Sequence, residues 1–144
     1  RRRSARAAMI CIVAIDHVVF RVVDLDRVSR FYIDVLGATW EKKQEDIGLY
    51  QLRVGSALVD LVPVDGKLGQ KGGAAPRGEG RNVDHVCFRV LPWDGEAILA
   101  HLRGHGIEGE IVTRYGAEGD GPSIYLADPE GNVLELKGPP EASS

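Results

Sequence analysis

The feature that most constrains this chain is a repeat. Asp16-His17-Val18-Val19-Phe20-Arg21-Val22 returns as Asp84-His85-Val86-Cys87-Phe88-Arg89-Val90, with six of seven positions identical and a constant offset of 68 residues in a chain of 144. Recurrence at about half the chain length points to a duplicated module.

The segments downstream of the two copies are alike in kind. After the first, Val28, Phe31, Tyr32 and Val35 recur at i, i+3, i+4 and i+7, with Asp24 or Asp26 available as N-cap and Gly37 just past the end, which predicts a helix with one apolar stripe. After the second, Asp94 opens a stretch with Ile98, Leu99 and Leu102 on one side, closed by Gly106. Short β-type runs then take over: 39–43, 49–54 and 57–62 in the first half, with Gly55-Ser56 as a tight turn, and 110–115, 123–126 and 133–137 in the second. Asp128-Pro129-Glu130-Gly131 is the best turn signal in the chain, because Pro presets φ and Gly accepts positive φ. Each half therefore reads β-α-β-β-β, an α+β unit. Between the halves, 64–81 carries six glycines and Pro76 in place of a periodic pattern, as a linker or a loop over a site does. A phosphate-cradling reading fails there, since Gly66-Lys67 has neither the following Ser or Thr nor the earlier glycine.

The resulting division is a disordered tail at 1–10, a first module at 11–63, the glycine-rich linker at 64–81, a second module at 82–138 and a tail at 139–144, one domain in all. Three arginines precede an apolar stretch from Met9 to Ile15, but that stretch is too short for a secretory signal and no small-residue cleavage site follows it. The first eight residues are read as a tail upstream of a start near Met9. With 44% hydrophobic and 27% charged residues the chain has the balance of an ordinary globular protein. Its net charge of −3, without a basic block, excludes a nucleic-acid binder. Apolar runs fall far short of the roughly 20 residues a membrane-spanning helix needs. Two cysteines, Cys11 and Cys87, are too few for a secreted disulfide framework and fit a cytoplasmic location.

The chemistry sits on the repeated strands. Side chains alternate along a strand, so His17, Val19 and Arg21 face one way and Val18, Phe20 and Val22 the other; His85, Cys87 and Arg89 share the equivalent face in the second copy. The all-apolar faces must meet the helices, which leaves both histidines on the opposite side. Each last strand adds an acid between two apolar residues, Asp60 in Val59-Asp60-Leu61 and Glu135 in Leu134-Glu135-Leu136. An unpaired buried carboxylate costs several kcal/mol, so each needs a partner. If the modules join around a pseudo-twofold axis, His17, His85, Asp60 and Glu135 converge as an N/O donor set suited to a divalent transition metal: Zn, Ni, Mn, Co or Fe. His101 and His105 form an i, i+4 pair, but without a Glu after His101 they read as an exposed helix face. Cys87 reads as a small apolar wall, because no further histidine is available as its base. Arg21, Arg89, Gln51 and Arg53 share the cavity-side parity and serve either an anionic substrate or the rim.

Paired βαβββ modules, DHV at both first strands, a glycine-rich bridge, and the closing run Asp128-Pro129-Glu130-Gly131-Asn132-Val133-Leu134-Glu135-Leu136 resemble the vicinal oxygen chelate superfamily over about residues 12 to 138. That superfamily includes glyoxalase I, fosfomycin-resistance proteins, extradiol dioxygenases and bleomycin-binding proteins. The resemblance implies a curved mixed sheet, a half-barrel or barrel with helices outside. It matches His17 and His85 to first-strand metal ligands and Glu135 to the last-strand carboxylate ligand, and it sets Asp60 where glyoxalase I has a glutamate. It implies a lactoylglutathione lyase-type proton transfer on a small oxygen-chelating substrate, with Glu135 or Asp60 as general base. Aspartate is one methylene shorter than glutamate, and two His with one carboxylate and open positions also suit an Fe(II) extradiol-type dioxygenase. Arg114 and Tyr125 are, by position, the nearest candidates for substrate contacts, beside Gln51 and Arg53. The resemblance also implies a homodimer, in which modules of two chains combine. A non-catalytic drug-sequestering protein of the bleomycin-resistance kind is the alternative; such members generally lack the metal ligands that this sequence keeps.

Overall fold

The computed structural model describes residues 9–140; of the expected tails at 1–10 and 139–144, residues 1–8 and 141–144 lie outside the described residues. Eight strands and two helices follow the duplicated order. The first module contains β1 (His17–Val22), α1 (Leu25–Asp34), β2 (Thr39–Gln44), β3 (Leu49–Val54) and β4 (Ala57–Pro63); the second contains β5 (Val86–Arg89), α2 (Gly95–Gly104), β6 (Val112–Gly116), β7 (Gly119–Ala127) and β8 (Val133–Lys137). Each module forms its own four-stranded mixed sheet, in the orders β1-β4-β3-β2 and β5-β8-β7-β6, so the same topology is built twice and the sheets do not close into a barrel.

Local chemistry explains the repetition. The Asp24 carboxylate accepts from the Arg27 N–H at 3.0 Å and the Asp94 carboxylate from the Ala97 N–H at 3.1 Å, so each helix opens on the same aspartate cap. Gly37 and Gly106, both at φ +77°, follow the two helix ends in a conformation that other residues rarely adopt. The apolar faces of both sheets and both helices share one core, with Val28, Tyr32, Leu52, Val59, Leu61, Leu102, Ile124 and Leu134 among its most buried members.

The predicted run at 123–126 lies in the second half of a nine-residue strand, Gly119–Ala127. Gly121 and Pro122 suggest a break, yet the Pro122 carbonyl accepts from Gly138, just past the end of β8. Its ring nitrogen faces the same way, where no ladder bond needs the missing N–H.

The turn between β7 and β8 joins the modules. Its Glu130 carboxylate accepts from the backbone N–H groups of Val23 at 2.8 Å and Asp24 at 2.6 Å, at the start of α1. Asp128, buried, accepts the Tyr32 hydroxyl at 2.8 Å and also holds Glu130 N–H and Asn132 N–H at 2.9 and 3.0 Å. Arg81 donates to Asn132 and to the Glu130 carbonyl. A turn that the sequence marks for its backbone thus acts as a polar latch.

Candidate metal centre

Strand register decides which side chains share a face. The parallel ladders set Val19 beside Asp60 and Cys87 beside Glu135, while the antiparallel ladders set Gln51 opposite Asp60 and Tyr125 opposite Glu135. The histidine faces and the carboxylate faces therefore coincide, on the side of each sheet away from its helix.

In the second module the contact is close. His85 Nε2 lies 3.0 Å from Glu135 Oε1, and His85 Nδ1 lies 2.7 Å from Asp84 Oδ2. The ring of Tyr125 packs edge-on against His85 at 5.5 Å, and Arg114 lies over that ring, 5.8 Å from its centre. Ser123, fully buried, donates to Glu135 Oε2 at 2.5 Å.

The first module has the same plan with looser spacing. His17 Nδ1 is 2.7 Å from Asp16, but Nε2 is 4.0 Å from Asp60, and the Gln51 amide donates to the Asp60 oxygens at 3.3 and 3.4 Å. Arg53 is 3.2 Å from Glu41 on the neighbouring strand.

These surroundings drive the two carboxylates apart. Burial pushes Asp60 up, and the Gln51 amide and His17 offset only part of that, so it titrates above the usual aspartate range. Burial also pushes on Glu135, but the Ser123 hydrogen bond, the neighbouring Tyr125 hydroxyl and the cations of His85 and Lys137 outweigh it and hold Glu135 below its ordinary value. Both histidines are raised, in each case first by the hydrogen bond that Nδ1–H donates to the preceding aspartate. Burial and Glu135 push the Cys87 thiol up, which is the reverse of an activated nucleophile.

The His85–Glu135 geometry fits a cation. An imidazole whose Nδ1–H is held by Asp84 presents a lone pair at Nε2, and a lone pair 3.0 Å from a carboxylate oxygen is repulsive unless a proton or a metal ion lies with them. Carboxylate–imidazole pairs of this kind orient metal-ligating histidines in general. Across the two modules, no group of three or more His, Cys, Asp or Glu side chains placed to hold a metal forms among the described residues. Each chain instead presents two pairs, one per module.

Other candidate positions have structural partners. Arg21 donates to the carbonyls of Gly69, Gly73 and Ala74 and pins the glycine-rich linker, whose Gly72 has no room for a Cβ beside the guanidinium. Arg89 pairs with Glu118 at 3.2 Å and donates to the Gly138 carbonyl. His101 Nε2 lies 2.7 Å from the Val35 carbonyl, tying α2 to the end of α1.

Residues 14–136 match the family model of the Glyoxalase/Bleomycin resistance protein/Dioxygenase superfamily. The chain belongs to that superfamily. It is 30% identical over 126 residues to the virulence protein STM3117 of Salmonella typhimurium, covering 85% of this chain and 81% of that protein. The crystal structure of STM3117 superposes with a TM-score of 0.72 at 25% identity, over 90% of this chain and 99% of that one. An integron cassette protein from the mobile metagenome of V. cholerae gives 0.71 at 25% identity, over 90% and 98%. A lactoylglutathione lyase from Agrobacterium tumefaciens shares the fold, with a TM-score of 0.59 at 23% identity over 87% and 92%. Superfamily membership thus rests on residues 14–136, most of the chain.

Sequence reasoning passed over Asp16 and Asp84 as orienting groups, although the repeated Asp-His dipeptide carries that signal. It also passed over Ser123, whose role depends on a cross-strand register that no single strand displays.

Proposed function

We propose that this protein is a metal-dependent enzyme of glyoxalase type, acting on a small substrate that offers neighbouring oxygens to a divalent cation: Zn, Ni, Mn, Co or Fe. The observation that carries the reading is the His85–Glu135 pair, 3.0 Å apart with His85 held from behind by Asp84. His17 and Asp60 are the complementary pair. Because one chain presents its donors as two pairs, we infer a homodimer in which the first module of one copy faces the second module of the other.

The residues divide the work by environment. Glu135, held ionised by Ser123, Tyr125 and nearby cations, suits the role of ligand. Asp60, raised by burial, suits that of general base, since a base works best with a pKa nearer the operating pH. Gln51 orients the Asp60 carboxylate, and Tyr125 with Arg114 offers a polar edge to the substrate beside His85. A bound divalent cation supplies positive charge that draws electron density from substrate oxygens and makes an adjacent C–H acidic.

Elemental analysis of untagged protein tests this, with wild type beside His85→Ala and Glu135→Gln after dialysis against chelator-free buffer. The expected result is about one equivalent of metal per site in wild type, lost in both variants. Iron as the native metal would redirect the assays from proton transfer to ring-cleaving oxygenation. If wild type holds no metal and regains none from any of the five ions, the catalytic reading fails and drug sequestration takes its place.

A further inference from the structure

The second module buries a lysine on the same face as its carboxylate. Lys137 is only 4% exposed, and its ammonium donates to the Arg114 carbonyl, to the Gly121 carbonyl at 3.3 Å and to the Ser123 hydroxyl oxygen at 3.3 Å. Three donors meet three acceptors, so the charge is held in one place. The Ser123 oxygen, accepting from the ammonium, has one hydrogen to give, and it points at Glu135 Oε2 at 2.5 Å. Oε1 is left facing His85.

Two further observations indicate that the site is built for this lysine. A Cβ on Gly116 would stand 2.5 Å from Lys137 Cε and 3.0 Å from Cδ, so the β6–β7 hairpin carries glycine where the lysine stem crosses it. The first module has no counterpart. Its register places Gln51 opposite Asp60 and Tyr50 opposite Leu61, where the ladder ends, and the next residues of the two strands are Leu49 and Val62, whereas the second module continues with Ser123 opposite Lys137. Two apolar residues in one copy and a serine–lysine pair in the other mark a specialised half-site.

We propose that Ser123 and Lys137 are positioning residues that make Glu135 a single-oxygen metal donor, with the lysine fixing the serine proton, the serine engaging Oε2, and Oε1 alone left for the cation beside His85 Nε2. This rests on the reading of His85 and Glu135 as metal ligands. A carboxylate without that restraint is free to rotate and to bind through both oxygens, which raises the coordination number and closes a position that a substrate needs.

The test is Co²⁺ binding to the full-length protein, read by competition with a chromophoric chelator and by the visible ligand-field spectrum, for wild type, Ser123→Ala and Lys137→Met. Lys137→Met keeps an unbranched stem packed over Gly116 and serves as the second variant if Ser123→Ala does not fold. The expected result is Co²⁺ affinity about 10- to 100-fold lower in Ser123→Ala, and roughly tenfold lower in Lys137→Met, as for other outer-shell partners. The ligand-field band should also weaken as the carboxylate becomes bidentate, a change that a role confined to stability does not produce. Wild-type binding with affinity and spectrum unchanged in the folded variants overturns this proposal and leaves the metal site standing. Absence of Co²⁺ binding by wild type overturns the metal reading and this proposal together.

Discussion

The two modules share topology, helix caps and an Asp-His dipeptide, yet their carboxylates live in opposite surroundings. Asp60 lies 4.0 Å from its histidine, takes two long hydrogen bonds from Gln51 and is raised by burial. Glu135 lies 3.0 Å from its histidine, takes a 2.5 Å hydrogen bond from Ser123 and is lowered. Backbone hydrogen bonding depends little on side-chain identity, so duplication preserves the scaffold. Charge and hydrogen bonding around one acid depend on a few cross-strand neighbours, and there the copies have diverged. A twofold fold need not make a twofold site.

The largest effect that bears on this comparison is in metal affinity. Glu135→Gln removes the donor held ionised and is expected to weaken Zn²⁺ binding by at least ~100-fold, beyond the range for an outer-shell group. Asp60→Asn, at the looser pair, is expected to cost less than about tenfold in affinity while removing most proton-transfer activity. Chelator competition combined with turnover on a glyoxalase-type substrate checks both. Equal losses of affinity in the two variants would mean that the modules contribute alike, and the division into ligand and base would fail.

A smaller effect is expected where the modules join. Tyr32 is completely buried in the first module, and its hydroxyl reaches Asp128 of the second. Tyr32→Phe removes that bond but leaves Asp128 its donors from Glu130 and Asn132, so a loss of about 1–2 kcal/mol is expected in urea denaturation, with metal affinity unchanged. Asp94→Ala, which removes the α2 cap inside one module, should cost about 1 kcal/mol. If Tyr32→Phe splits the transition into two, the latch holds two independently melting modules rather than one cooperative core.

Legibility in the sequence divides along the same line between local and cross-strand features. The repeat, the alternation along β1 and β5 and the aspartate caps are local patterns, and from them the two βαβββ modules, the helix ends and the shared faces of histidine and acid can be read directly. The start of β7 was not legible, because its tolerance of Pro122 depends on where β8 ends. The Asp128–Glu130 turn was readable as a turn but not as a latch, since its partners Tyr32, Val23 and Asp24 lie about a hundred residues away. Arg21 and Arg53 have the parity of site residues, yet the carbonyls of the linker and Glu41 engage them. Parity gives a side chain's direction, and only its neighbours give its use.

The finest test of the comparison is in pH. Both histidines are raised above 6.5, each chiefly by its neighbouring aspartate, with Asp60 or Glu135 adding to the shift. A group whose folded pKa exceeds its unfolded one contributes stability that is complete below the unfolded value and fades as pH climbs through the folded value. The metal-free protein should therefore lose thermal stability as pH rises from about 6.5, the unfolded imidazole value. Over the same window the gain in Tm from added Zn²⁺ should grow, because the cation and the proton compete for the same Nε2 lone pair. His85→Gln should remove more of the metal-free slope than His17→Gln, since Nε2 stands 3.0 Å from Glu135 but 4.0 Å from Asp60. Differential scanning fluorimetry at half-unit steps between about pH 5.5 and 8.5 separates the two contributions around the imidazole range. A slope that survives His85→Gln intact but vanishes in His17→Gln would assign the tighter pair to the first module and invert the asymmetry between the two halves.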